Sequence, residues 1–355
     1  MTLLRTYLVM AVLRGVATVL AVLVAVTLVI EFVGQLNDVG TGDYGLQDAL
    51  IYIGLGVPRT IFTTLPIAAL IGSLLSLGNL AVHRELIVMR ASGVSSLQLL
   101  SAVGLAGLIL AVLTVLLGES VAPSLSAYAR EMRTRAMHEE IAVADGQATW
   151  LREGDRIVSL RRQAGDLGYG GGVHLFELGP NQTLRQVARA DSANLEGNRW
   201  VLSNYAETTF DDGGMTVRSG RESSEAHGLN PDLLELSVVR ADLLDTPSLI
   251  RYISYLRANS LDAHRYLVAY WSRLANVVSV VVMTVLALPF VFGGLRSAGA
   301  GARLLVGLIM GLTYYVAGQV LTSGGEVYGV DPLVIAWAPT ALLVLVASFA
   351  FARIR

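Results

Sequence analysis

No lysine and no cysteine occur in the 355 residues, so every one of the 26 basic side chains is an arginine. The missing cysteines exclude disulfides and thiolate metal sites and leave the compartment open. The missing lysine excludes a P-loop, whose Lys must reach the β/γ-phosphates of a nucleotide. If ATP drives this chain, another chain binds the ATP. Charge is also scarce. At 15% charged residues and a formal net charge of −2, there is no electrostatic footprint for nucleic acid or for an acidic partner. HExxH and GxSxG are both absent, and the five histidines are scattered without metal-ligand spacing. His83 and His138 stand beside acids, where a hydrogen bond accounts for them. No catalytic residue and no metal site is expected.

Apolar length is what the chain has in abundance. It is 54% hydrophobic, with a mean hydropathy of +0.58, and a bilayer core of about 30 Å needs about 20 apolar residues per helix. Six segments qualify: Gly15–Val33, Thr60–Val82, Val94–Gly118, Leu274–Leu295, Leu304–Ser323 and Leu333–Phe351. The first lacks the small-residue cleavage site of a secretory signal and is long enough to span, so it is read as retained. Arginines then orient the chain. With the N-terminus in the cytoplasm, the inner loops hold Arg5, Arg84, Arg90, Arg296, Arg303, Arg353 and Arg355. The outer loops hold Asp38, Asp43, Asp48, Glu326 and Asp331. Tyr266, Tyr270 and Trp271 fit an outer interfacial belt.

Between the third and fourth spans lies a long polar region. Alternation and turn chemistry predict strands at Gln147–Leu151, Arg156–Arg161, Val173–Leu178, Arg185–Asp191, Trp200–Ser203, Thr208–Phe210, Met215–Arg218 and Leu234–Val239. The turns are "EGD", "GDLGYGGG", "GPNQ", "EGN" and "DDGG". A helix is expected to leave the third span through Ala127–Ile141, and another to start near Thr246-Pro247, with Thr as N-cap and Pro first in the helix. The expected fold is therefore an α-helical membrane protein of six transmembrane helices, three plus three, with an inserted all-β domain. Short strands at this spacing suggest a sandwich, barrel or jelly roll; an open jelly roll on the non-cytoplasmic side is the expectation once an acceptor must pair with a free edge, with Trp150, Trp200 and alternate strand residues as groove or core. The divisions are 1–123, 124–260 and 261–355.

Two clusters carry candidate function. "HRELIVMRASG", His83 to Gly93, puts four apolar residues in a row inside a short inner loop. As a helix, its apolar arc is too wide for a solvated one. It reads either as a coupling helix docking into a cytoplasmic ATPase, or as a re-entrant turn resting on lipid. The coupling candidates are Arg84, Glu85, Leu86, Ile87, Met89 and Arg90, with Ser92-Gly93 as the stop. At the outer edge stand Arg59, Arg130, Arg133 and Arg135. Arg suits bidentate phosphate contact, so they read as a headgroup clamp or as ordinary snorkelling. Small residues (Gly72, Ser73, Ser76 and Gly78; Gly307, Gly311 and Gly318) read as a sliding seam or as static packing. Two rival functions are a membrane-anchored scaffold and a lipoprotein-releasing permease. The three-plus-three layout argues against the latter.

"LPIAALIGSLLSLGNLAVHRELIVMRASGVS" resembles the second span and coupling helix of the lipopolysaccharide export permeases of the LptF/LptG family. "FVGQLNDVGTGDYG", "GESVAPSLSAYAREMRTRAM" and "FVFGGLRSAGAGARLLVGLIMGLTYYV" resemble the LptG branch of that family more than the LptF branch. The resemblance implies an ABC transporter permease in the inner membrane of a Gram-negative bacterium. Its partners would be a homologous LptF, a cytoplasmic LptB ATPase dimer that holds the ATP, and the LptC transmembrane helix, expected beside the first span. Its cargo would be lipopolysaccharide, passed to a periplasmic jelly-roll bridge, and no cofactor would bind this chain. The resemblance favours a headgroup role for Arg59, Arg130 and Arg133. Glu31 departs from it, standing where the family carries Lys, and no headgroup role is carried over to it.

Overall fold

A computed structural model describes residues 2–137, 149–153, 155–160, 172–179, 183–196, 199–211, 214–225, 241, 244–292 and 299–352. Among these residues, six helical segments are long and apolar enough to cross a membrane. They are α1 (Thr2–Gln35), α2 (Leu46–Val82), α4 (Ser96–Leu116) continuing through a π turn (Leu117–Val121) into α5 (Ala122–Ala136), α7 (His264–Phe292), α8 (Ala300–Tyr328) and α9 (Pro332–Ala352). Two shorter helices complete the set, α3 (Glu85–Ala91) and α6 (Thr246–Ala258).

Several helices outrun the apolar stretches that predict them. α2 starts at Leu46, not at Thr60. Its 37 residues span about 55 Å, well beyond a core of about 30 Å. The helix that leaves the third span begins at Ala122 and is described as far as Ala136; positions 138–141 lie outside the described residues, as do 293–295 of the fourth span. α6 starts at Thr246 as expected, but Asp245 is its cap. The Asp245 carboxylate accepts from the Ser248 N–H at 3.3 Å.

α2 is the hub. Pro66 has no N–H, so the Phe62 carbonyl loses its helical donor four residues on. Asn276 of α7 supplies one instead, its Nδ2 donating to Phe62 O at 3.0 Å. On another side α2 meets α1 backbone to backbone. A Cβ on Gly72 would lie 2.4 Å from Val16 Cα, and one on Gly15 would lie 2.6 Å from Gly72 O. On a third, Gly307 and Gly311 of α8 sit against Ile71 and Ile67. Lipid tails are as apolar as leucine, so helices in a membrane gain mainly from such close approach. The core runs through Val12, Val16, Leu70, Leu74, Leu77, Val103, Leu110, Val280, Met283 and Leu286.

The β-domain is a seven-stranded antiparallel sheet: β1 (Thr149–Glu153), β2 (Arg156–Leu160), β3 (Val173–Leu178), β4 (Leu184–Ala190), β5 (Ser192–Glu196), β6 (Arg199–Asp211) and β7 (Gly214–Glu225). β4 and β5 lie end to end along one side of β6 and β7 lies along the other, so the chain runs as a meander. Among the described residues β1 and β7 each have one strand neighbour, and the sheet is open. Two expected strands, Trp200–Ser203 and Thr208–Phe210, are one strand here. Asn204 between them takes a left-handed backbone (φ 51°), which Asn tolerates, and pairing resumes at Tyr205 without a change of register. The Tyr205 ring covers Gly220 opposite it. β5 was not anticipated, because "SANLE" carries little strand propensity. Leu234–Val239 and positions 147–148 lie outside the described residues.

The chain divides into two compact units. One comprises residues up to 39, 46–130 and those from 264 onward; the other comprises 40–45 and 131–263. In the second, the turn at 40–45 is tied to the end of α5. The Asp43 N–H donates to Ala136 O at 2.7 Å, and Tyr44 is fully buried.

Candidate functional site

α3 is set off from α2 by a two-residue break. Arg84 takes a left-handed backbone (φ 64°), uncommon for a residue with a side chain, and turns the chain out of the α2 axis. The helix ends where Ser92-Gly93 predicts. Gly93 is left-handed (φ 91°), its N–H bonds Arg90 O, and the Val94 N–H reaches back to Met89 O, a Schellman closure. α4 follows with a reciprocal cap between Ser95 and Gln98.

The four apolar residues of α3 face two ways. Leu86 and Met89, three apart on one face, are 1% and 8% exposed and belong to the transmembrane core. Ile87 and Val88 are 42% and 62% exposed. So α3 is anchored on its own spans by one face and offers an apolar pair on the other. Glu85 accepts a hydrogen bond from Tyr7 of α1, Oη to Oε2 at 2.7 Å. The Arg90 guanidinium lies over the Phe292 ring at the end of α7, 5.5 Å from its centroid. Arg84 is exposed at the helix entry.

Arg303, counted above as an inner-loop charge, stands instead in the first turn of α8 and is 2% exposed. Its stem crosses Gly78 of α2, where a Cβ would lie 2.5 Å from Arg303 Cδ. Tyr7, Phe292 and Arg303 give no local sign in the sequence, because each matters only through a residue on another helix.

The outer arginines separate into two kinds. Arg59 is half-buried inside α2, not at its start. Twenty-four residues lie from Arg59 to Val82, about 35 Å of helix. Arg130 and Arg133 are half-buried, one turn apart on α5. Arg135 is exposed and ion-paired with Glu131 on its own helix. Glu31 accepts from Thr60 Oγ1 at 3.4 Å, beside Arg59 in sequence.

The small residues are mostly consumed by packing. Gly72, Gly78, Gly307 and Gly311 each have a neighbour where a Cβ would go; Gly318 has none within 4 Å. On the sheet, the register places Ile157, Phe176, Val187, Thr208 and Val217 in one row across β2, β3, β4, β6 and β7. Trp150 stacks on Phe176 at 5.9 Å, and Phe210, Met215 and Val217 are exposed. Val158 and Ala188, one register position away and so on the opposite face, are buried.

These features define a multi-pass membrane protein with two three-helix sets, an inserted antiparallel β-sheet and a short helix, α3, anchored across the spans. The class is a helical permease. The family model "Lipopolysaccharide export system permease LptF/LptG" matches residues 6–353, and the chain belongs to that family. It is 33% identical over 341 residues to the lipopolysaccharide export system permease protein LptG of Escherichia coli strain K12, covering 94% of this chain and 93% of the relative. It is 30% identical over 347 residues to that of Haemophilus influenzae, covering 97% of each. The family's subunits are permeases, not catalysts.

Proposed function

We infer that this chain is the LptG-type half of a heterodimeric permease that lifts lipopolysaccharide from the outer leaflet of the inner membrane. Its partner half is an LptF-type chain. A cytoplasmic LptB dimer supplies the ATP site this lysine-free chain lacks, and the LptC helix lies beside α1. The chain itself binds no cofactor.

The observation that carries the power stroke is α3. Leu86 and Met89 join it to the spans, so a load applied to Ile87 and Val88 passes into them. A helix merely resting on lipid has no need of that double anchorage. The arginine bias supports an inner position for α3 and a periplasmic one for the sheet. Arg59, Arg130 and Arg133 contribute phosphate contacts to the lipid A headgroup. Arg135, already paired with Glu131, contributes less.

Lipopolysaccharide carries several acyl chains, and each CH₂ exposed to water costs about 0.8 kcal/mol. Free release is prohibitive, and a continuous apolar path is required. The row of half-buried Phe176 and exposed Phe210, Met215 and Val217 is its next section, and the edge at β7, with no second strand neighbour among the described residues, is where a jelly-roll acceptor adds its strand.

Two experiments test the reading. Affinity purification from membranes is expected to bring down an ATPase and a second six-span protein; recovery of the chain alone overturns it. Photo-crosslinkers at Phe176, Phe210 and Met215 are expected to capture lipopolysaccharide only while ATP turns over. Export that proceeds without such crosslinks would route the lipid through the partner's β-domain.

A further inference from the structure

Glu85 is held by a residue 78 positions away. The part of α1 that carries its donor, Tyr7, is firmly seated. Leu8, Val9, Val12 and Val16 are buried in the same core as Leu86 and Met89, and Gly15 locks against Gly72. The Tyr7–Glu85 hydrogen bond therefore joins two elements already fixed to α2, at a point where Tyr7 is exposed to water and Glu85 half-buried. An exposed hydrogen bond competes with solvent and adds little to stability. Its consequence is direction.

A phenol orients a carboxylate without cancelling its charge, whereas an arginine at position 7 would form an ion pair with it. The bond uses Oε2 alone, and Oε1 accepts nothing among the described residues. At the other end of α3, Arg90 rests on Phe292. The helix is thus held to α1 at its start and to α7 at its end.

We propose that Tyr7 is the positioning residue of the coupling helix. Its hydroxyl holds the Glu85 carboxylate in place as an anion for a basic side chain of the ATPase subunit, and it carries displacement of α3 into α1. The proposal rests on the docking role assigned to α3.

The test uses the assembled complex in proteoliposomes, measuring lipopolysaccharide released per ATP hydrolysed. Tyr7→Phe keeps the ring and removes the hydroxyl. It is expected to lower that ratio roughly fivefold, the scale of one hydrogen bond. Tyr7→Phe combined with Glu85→Gln is expected to lose no more than Glu85→Gln alone, because the hydroxyl acts through that carboxylate. An unchanged ratio for Tyr7→Phe, or losses that add, overturns the proposal. Proximity is read separately. Because the chain has no cysteine, Tyr7→Cys with Glu85→Cys makes the only thiol pair. A short bis-maleimide is expected to link α1 to α3 in membranes, and failure to link overturns the geometry. The two readings fail differently. A Val88→Asp variant that keeps its full complement of ATPase subunit sinks the docking role. One that loses it, while Tyr7→Phe is unaffected, sinks only the positioning role.

Discussion

α2 and α8 are both apolar, glycine-bearing spans, and they use those properties in opposite ways. In α2, 67% of the apolar stretch is buried within the chain; in α8, 11% is. α2 is packed against α1, α7 and α8, with Gly72 and Gly78 filled by neighbours and the carbonyl freed by Pro66 answered by Asn276. α8 turns a single stripe inward, Arg303, Gly307 and Gly311, and leaves Leu304, Leu305, Leu308, Ile309, Leu312, Val316 and Val320 outside. In lipid, such an outward face costs nothing, so apolarity specifies a span without specifying what touches it. α3 repeats the contrast within one turn, Leu86 and Met89 inward, Ile87 and Val88 outward.

The largest expected effect tests the inward side of that contrast. Gly72→Leu drives a side chain into the α1 backbone at Val16 and is expected to cost about 3 kcal/mol or more. It would be read as a lowered thermal midpoint in detergent and loss of folded protein from membranes. A normal melt would mean that α1 is not locked to α2.

The next separates the two faces of α3. Met89→Asp buries a carboxylate and is expected to destabilise the chain by roughly 2–3 kcal/mol. Val88→Asp is expected to leave the melt within about 0.5 kcal/mol, yet to weaken ATPase-subunit binding roughly thirtyfold, about 2 kcal/mol. If both variants fail to fold, the division of α3 into an anchor face and a docking face is wrong.

A smaller effect is expected at the outer arginines. Joint replacement of Arg59, Arg130 and Arg133 by Gln should weaken binding of phosphorylated lipid A about tenfold, a modest yield for charge-assisted contacts in partly solvated surroundings. A dephosphorylated analogue should lose less, and Arg135→Gln should change either by less than about twofold. Equal losses with the two lipids would point to packing.

Smallest is Gly318→Leu, where no atom lies within 4 Å of the added Cβ. The expected change in melt is under about 0.5 kcal/mol. A variant that melts normally but no longer pairs with a second permease would show that the outward face of α8 meets protein and not lipid.

Six spans, the inserted β-domain, the stop at Gly93 and the lack of a P-loop lysine were determined by the sequence alone. Each follows from a local quantity: apolar length against bilayer thickness, alternation of period two, a residue that tolerates positive φ, the absence of lysine. The tertiary structure decided which residues do what. It turned Leu86 and Met89 into anchors and left Ile87 and Val88 exposed, though all four look alike in a row. It paired Arg135 with Glu131, merged two expected strands across Asn204, and moved Arg303 from a loop into the shadow of Gly78. It also brought Tyr7 to Glu85. The reason is the same each time. A side chain's role depends on the helix or strand it meets, and residues distant in the chain share no local pattern that announces the meeting.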